Sequence, residues 1–136
     1  SYDMNMLGDI KDSLIQIINK VISETQNNFD EETLYLSSFF ISKHLPNYVV
    51  PAHLDGGKNF NQPLHYSALI YLNELEDSGN LIFNLRNVSV HPKVGDLVVF
   101  DAQNKMNMHS VPEVSGNRYS IPIWLTRDPK FDLLSY

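Results

Sequence analysis

His53 and Asp55 stand two residues apart, just before the Gly56-Gly57 pair, and a third ligand type, His109, lies far down the chain. Side chains two apart on an extended strand point the same way, so one imidazole and one carboxylate can converge on a single point. The third group must then come from a distant strand, and His109 sits between the run that ends at Asp101 and the terminal run of the chain. Two neutral imidazoles and one carboxylate cap one face of an octahedron and leave the opposite face open. That arrangement suits iron(II), which must take both an organic chelate and dioxygen. Zinc is ordinarily held in a closed or nearly closed tetrahedron, so the set favours iron without excluding zinc. Nine residues beyond His109 stands Arg118. Arg118 and Ser120 would share a strand face, where a guanidinium fork and a hydroxyl can grip one carboxylate with bidentate geometry that Lys could not supply.

The elements that must position these groups follow from the hydropathy pattern. Ile10, Leu14, Ile17, Ile18, Val21 and Ile22 recur at spacings of three and four, which predicts an amphipathic helix over 9–25. Asn27 and Asn28 break the pattern, and Asp30-Glu31-Glu32 reads as a charged turn. From residue 34 the chain turns to short runs rich in β-branched and aromatic residues, bounded by Gly, Pro, Asn and Asp. Strands are expected at 34–42, 48–53, 67–73, 80–85, 88–91, 96–101, 108–111 and 118–126. Short strands following one helix imply a mostly β fold, an antiparallel sandwich or barrel of jelly-roll type, with the helix packed on its outside. Residues 1–136 read as a single domain, with the jelly-roll core at about 34–127.

Composition narrows the classes. Hydrophobic residues make up 43% and charged residues 19%, a globular balance that can bury a small core. The net charge is −6 and the ten Lys and Arg are scattered, so no basic stripe exists to neutralise a phosphate backbone and no nucleic-acid partner is expected. Without cysteine, disulfides, thiolate metal sites and a thiol nucleophile are excluded, and any metal must use His and carboxylate. No apolar run approaches the roughly 20 residues of a membrane span, and Ser1-Tyr2-Asp3-Met4 has no signal-peptide character. A soluble, cytoplasmic protein with no membrane association is therefore expected.

Several segments in order resemble the iron(II) and 2-oxoglutarate-dependent oxygenase superfamily, most closely its prolyl 4-hydroxylase-like branch. They are His53-x-Asp55, Ser67 to Asn73, Pro92 to Phe100, His109-Ser110-Val111-Pro112 and Gly116-Asn117-Arg118, and together they span roughly 48–127. The chain differs from that branch at Ser78-Gly79, where a paired glycine is usual, and at His65-Tyr66, where a basic residue is common. It also carries Arg118 where Lys is usual. The resemblance implies a double-stranded β-helix and iron(II) held by His53, Asp55 and His109. It implies a 2-oxoglutarate co-substrate whose far carboxylate meets Arg118, with Tyr71 as a further hydrogen-bond donor to it. The implied reaction consumes dioxygen, converts 2-oxoglutarate to succinate and carbon dioxide, and hydroxylates an unactivated C–H bond of a peptide, protein or small-molecule substrate. A peptidyl proline is one such substrate, and ascorbate is a candidate auxiliary cofactor. Related halogenases lack the carboxylate that Asp55 supplies, so hydroxylation is favoured.

Other residues carry plainer expectations. His44, before Leu45-Pro46, and His91, before Pro92, read as surface or satisfied turn histidines, and His65 as a loop residue. Trp124 shares the Arg118 face by alternation, which leaves open a core role or a substrate platform. Residues 56–63 read as a mobile loop in which Lys58 and Asn59 are solvated, and 103–108 as a further loop that shapes substrate choice. A non-catalytic cupin-like module for a metal or small acid is the main alternative. It predicts another His or Glu ligand near Gly56-Gly57, where none stands. A zinc hydrolase would want a His-Glu-x-x-His pattern, which the chain lacks.

Overall fold

The computed structural model of the chain describes residues 4–56 and 63–135. The loop expected at 56–63, with Lys58 and Asn59, falls almost entirely outside the described residues.

Among the described residues one α-helix, α1 (Met4–Phe29), precedes nine strands: β1 (Tyr35–Phe39), β2 (Ser42–His44), β3 (Val50–His53), β4 (Tyr66–Tyr71), β5 (Leu81–Phe83), β6 (Val88–Val90), β7 (Leu97–Asp101), β8 (His109–Val111) and β9 (Arg118–Thr126). The helix runs past both expected ends. Asn28 stays helical by donating to the Glu24 carbonyl, and the stop comes at Asp30, whose φ of 54° is left-handed. The Glu31 amide then reaches back to the Gln26 carbonyl, the closure that satisfies orphan carbonyls at a helix end.

The strands form two antiparallel sheets. The larger has the order β1-β9-β4-β7, with β2 also paired to β9, and the smaller has the order β3-β8-β5-β6. This is the double-stranded β-helix, or jelly roll, with α1 outside. The single strand expected over 34–42 is instead two, β1 and β2, both paired to β9. Phe40, in the gap, donates its amide to the Pro122 carbonyl, but Pro122 has no N–H to return, so the ladder breaks there.

Alternation on β9 divides its residues cleanly. Ile121, Ile123 and Leu125 join Leu36, Tyr66 and Ala68 in a buried cluster with Ile18 and Val21 of α1. Burying that helix face stabilises the pair by about 1.5–3 kcal/mol for each fully buried Ile or Val. Arg118, Ser120, Pro122 and Trp124 face the other way, into the space between the sheets. A second cluster of Leu81, Phe83, Phe100, Val111 and Val114 fills part of that space. No helix among the described residues is long and apolar enough to cross a membrane.

Candidate metal centre and co-substrate recess

The register of the smaller sheet sets His53 directly opposite His109, so the last residue of β3 and the first of β8 share a face. Their ring centroids are 4.3 Å apart. Each ring is oriented by its own backbone. His53 Nδ1 lies 2.9 Å from the Pro51 carbonyl and His109 Nδ1 lies 2.9 Å from the Asn107 carbonyl. A carbonyl can only accept, so both Nδ1 atoms carry the proton, and both Nε2 atoms keep a lone pair for a metal.

Asp55 completes the group, though strand alternation is not what places it. β3 ends at His53, and Asp55 lies in the turn beyond. Two contacts hold the turn. The Gly56 amide donates to the Ala102 carbonyl at 2.9 Å, and the Ser67 hydroxyl donates to Asp55 Oδ2 at 2.7 Å. Asp55 Oδ1 is thereby left 3.1 Å from His53 Nε2 and 3.5 Å from His109 Nε2. One ligand atom from each of the three residues lies within 4.8 Å of the others, and among the described residues no fourth His or carboxylate joins them. That geometry and those free lone pairs fit a divalent cation with open positions.

Burial works to raise the Asp55 carboxyl, but the His53 hydrogen bond, the nearby His109 and the Ser67 hydroxyl outweigh it and hold the group below the usual carboxylate range. His53 is raised, chiefly by its bond to Asp55. His109, 5% exposed, is lowered by burial, against the pull of the Asn107 carbonyl and Asp55.

A cavity of about 190 Å³ joins this centre to the inner face of β9, with His53, Asp55 and His109 on one wall and Arg118, Ser120 and Trp124 on another. Arg118 is buried and donates from one terminal nitrogen to the Gly79 carbonyl at 3.1 Å. Its Nε and the Tyr71 hydroxyl are buried without a partner among the described residues. The guanidinium carbon stands 5.3 Å from the Tyr71 ring centroid, and Tyr71 itself is 1% exposed. Burial lowers Arg118 and raises Tyr71, each shift opposed by the other group. Buried donors without acceptors are rare in native folds and mark a place where a ligand supplies the partner. A carboxylate fits a cationic N–H beside a hydroxyl.

Trp124 is half-buried at the cavity wall, its ring 5.3 Å from that of exposed Phe40. Sequence reasoning missed Ser67 and Asn107. The signal for Ser67 was available, because it shares a β4 face with Tyr71. Asn107 sits in a short helical turn within the loop expected at 103–108, where it is buried and bonds Arg86 and the Asp101 carbonyl. His91 bonds Asn80 on the surface and His65 accepts from the Arg127 amide, both as expected of satisfied loop histidines. His44 departs from expectation: it is 6% exposed, and its Nδ1 has no hydrogen-bond partner among the described residues. Its place on β2 opposite Arg118 turns it inward rather than to solvent.

Comparison with known proteins extends beyond the site. Over 72 residues, 48% of this chain, the sequence is 35% identical to prolyl 3-hydroxylase 2 of Mus musculus. The chain spans only about a tenth (10%) of that protein's length. Among solved structures, the viral collagen prolyl hydroxylase of Paramecium Bursaria Chlorella virus-1, in its 2OG complex, superposes with a TM-score of 0.69 at 18% identity, over 83% of this chain and 71% of that one. A Pseudomonas putida prolyl-4-hydroxylase gives a TM-score of 0.57 at 29% identity, over 72% of this chain and 56% of that one. The family model for the 2OG-Fe(II) oxygenase superfamily matches residues 35–126, which takes in all nine strands and the three converging side chains. This chain belongs to the 2OG-Fe(II) oxygenase superfamily.

Proposed function

We propose that residues 1–136 form one oxygenase domain that uses iron(II), 2-oxoglutarate and dioxygen to hydroxylate an unactivated C–H bond, with a peptidyl proline as the substrate. The observation that carries this reading is the meeting of His53 Nε2, His109 Nε2 and Asp55 Oδ1 within 4.8 Å, both rings locked by backbone carbonyls. When bound, the metal and co-substrate supply the oxidising chemistry, in which 2-oxoglutarate becomes succinate and carbon dioxide and the substrate gains a hydroxyl.

This chain's part is to bind, orient and exclude water. His53, Asp55 and His109 hold the metal, and Ser67 fixes which Asp55 oxygen faces it. Arg118 and Tyr71 would take the far carboxylate of 2-oxoglutarate, with Ser120 beside Arg118 on the same strand face. Leu69, Leu81 and Val111 give the cavity an apolar lining that disfavours water. Trp124 and Phe40, at the cavity wall, present aromatic faces to which a pyrrolidine ring can pack. The proline reading is supported by the prolyl hydroxylases among the similar proteins.

Anaerobic reconstitution with iron(II) and 2-oxoglutarate tests the reading. A weak visible charge-transfer band is expected, followed in air by succinate, and Asp55→Ala should abolish both. No band with the wild-type protein would end the oxygenase reading. Arg118→Ala should raise the 2-oxoglutarate requirement more than it weakens iron binding. Hydroxyproline formation in proline-containing peptides tests the substrate class, and assays with and without ascorbate test whether that reductant sustains turnover.

A further inference from the structure

Asn107 is 7% exposed in a short helical turn whose other residues, Lys105 and Met106, face solvent. All four of its polar atoms are engaged. Its amide donates to the Asn104 carbonyl at 2.9 Å and its Nδ2 to the Asp101 carbonyl at 2.9 Å. Its Oδ1 accepts from Arg86 Nε at 2.7 Å, and its own carbonyl accepts from His109 Nδ1 at 2.9 Å. The side-chain amide has one orientation only, because a guanidinium can only donate and a backbone carbonyl can only accept. Asn107 thereby joins β7, the β5–β6 turn and the first residue of β8.

The β5–β6 turn is itself seated against the His109 segment. It leaves β5 at Phe83, which lies directly opposite His109. Within it the Arg86 amide donates to the Phe83 carbonyl at 3.1 Å, and the Asn84 amide reaches the Met108 carbonyl at 3.2 Å. The exposed Arg86 then adds a side-chain link from the same turn to Asn107.

The two imidazoles are held by different means. The His53 side chain is 42% exposed, and the carbonyl it meets belongs to Pro51 of its own strand. The His109 side chain is 6% exposed, with its ring 4.9 Å from that of Phe100. The carbonyl it meets lies outside the strands, in a turn that no ladder holds. A shift of that carbonyl would swing the ring and carry Nε2 away from Asp55, so whatever ties the turn down also aims His109.

We propose that Asn107 and Arg86 are positioning residues for the metal centre: Arg86 holds the Asn107 side chain, and Asn107 holds the carbonyl that orients His109. The inference rests on the oxygenase reading, in which His109 is a metal ligand. Neither residue lines the cavity, so neither touches substrate or co-substrate there. The sign of the Arg86 effect separates this role from plain electrostatics. Removing a positive charge near a cation site favours the cation by Coulomb's law, whereas removing a positioning group weakens its binding.

Anaerobic competition titration with iron(II) alone tests the proposal, with urea unfolding of the metal-free proteins beside it. Asn107→Ala should weaken iron(II) binding roughly 10–100-fold. Arg86→Met should weaken it roughly threefold to tenfold and, at an exposed position, leave the urea midpoint near that of wild type. Arg86→Lys keeps the charge but has no Nε–H at that place, and should behave like Arg86→Met. The double variant should bind iron(II) no more weakly than Asn107→Ala, since both changes act through one carbonyl. The cobalt(II)-loaded proteins should show shifted visible bands in Asn107→Ala and Arg86→Met, which a change in stability alone would not produce. Tighter or unchanged iron(II) binding by Arg86→Met would overturn the proposal, as would recovery in Arg86→Lys or fully additive losses in the double variant. Arg86→Met also decides the matter should Asn107→Ala not fold. Wild type that binds iron(II) while these variants match it overturns this inference and leaves the oxygenase reading standing; wild type that binds none overturns both.

Discussion

Replacing Ser67 by alanine removes one oxygen from the barrel interior, and both metal binding and the fold should feel it. Ser67 is 2% exposed, and its hydroxyl donates to Asp55 Oδ2 over 2.7 Å, a short bond to a charged acceptor. Such bonds are worth about 1.5–3 kcal/mol. Without it no other hydrogen bond among the described residues holds Oδ2, the carboxylate is free to rotate, and Oδ1 loses its fixed place between the two imidazole nitrogens. At about 1.4 kcal/mol per decade, iron(II) affinity should fall roughly 10–100-fold, the range seen when a group that orients a metal ligand is lost. The same bond exists without metal, so the metal-free protein should also lose about 1–3 kcal/mol of stability while remaining folded. Anaerobic competition titration gives the affinity and urea unfolding of metal-free protein gives the stability. Ser67→Thr, which restores the hydroxyl, should recover binding. An alanine variant with wild-type iron affinity would refute the claim that Ser67 sets the Asp55 orientation. A loss of affinity accompanied by gross unfolding would assign the effect to the fold.

Gly56→Ala should be costly because its new β-carbon would lie 2.6 Å from the Ala102 carbonyl oxygen, a backbone atom that cannot swing aside. The turn must shift, with a loss of about 1–3 kcal/mol in urea unfolding and weaker metal binding through Asp55. Asp30→Gly should stabilise the chain by about 0.5–1 kcal/mol, since a residue at φ 54° closing a helix is where glycine carries no steric penalty; a shift of the urea midpoint reads this. Glu31 should contribute to pH-dependent stability. Its carboxyl is held below the value of 4.5 by hydrogen bonds from Arg127 and Tyr66, against burial. A depressed folded value means that the contribution is complete above the unfolded value and disappears as pH falls through the folded one. Glu31→Gln should thus cost about 1 kcal/mol or less at neutral pH, Arg127 being half exposed, and the gap from wild type should close in acid; a gap that widens below pH 4.5 would reverse the sign of the argument.

The parts of this molecule that follow a period were legible, and the parts that depend on meeting something distant were not. Three-and-four spacing marked α1, and two-residue alternation marked β4 and β9 and the shared face of Arg118, Ser120 and Trp124. The helix end was misjudged because Asn27 and Asn28 are poor helix residues by propensity, while the closure at Asp30 depends on a left-handed residue that propensity does not report. The break between β1 and β2 lies opposite Pro122, more than eighty residues away, and only the pairing register connects them. Asp55 was assigned to the right neighbourhood for an incomplete reason. It leaves the strand, and what aims it is a β4 hydroxyl and a backbone carbonyl of Ala102. His44 looked like a turn residue from its neighbours Leu45 and Pro46, but burial comes from its cross-strand partner, which local sequence does not name.

The dependence of the site on the fold is concentrated in β9. Its odd and even positions do different work, Ile121, Ile123 and Leu125 gripping α1 while Arg118, Ser120 and Trp124 face the cavity. A slip of one residue would exchange the two sets, burying a guanidinium against the helix and turning apolar side chains into the recess. Both outcomes carry large penalties, so the apolar contact with α1 specifies the register that aims Arg118. Pairing to β4 along one edge and to β1 and β2 along the other removes the free edge that would permit such a slip. The outer core is therefore what fixes the distance between Arg118 and Ser120 on β9 and the two imidazoles on β3 and β8.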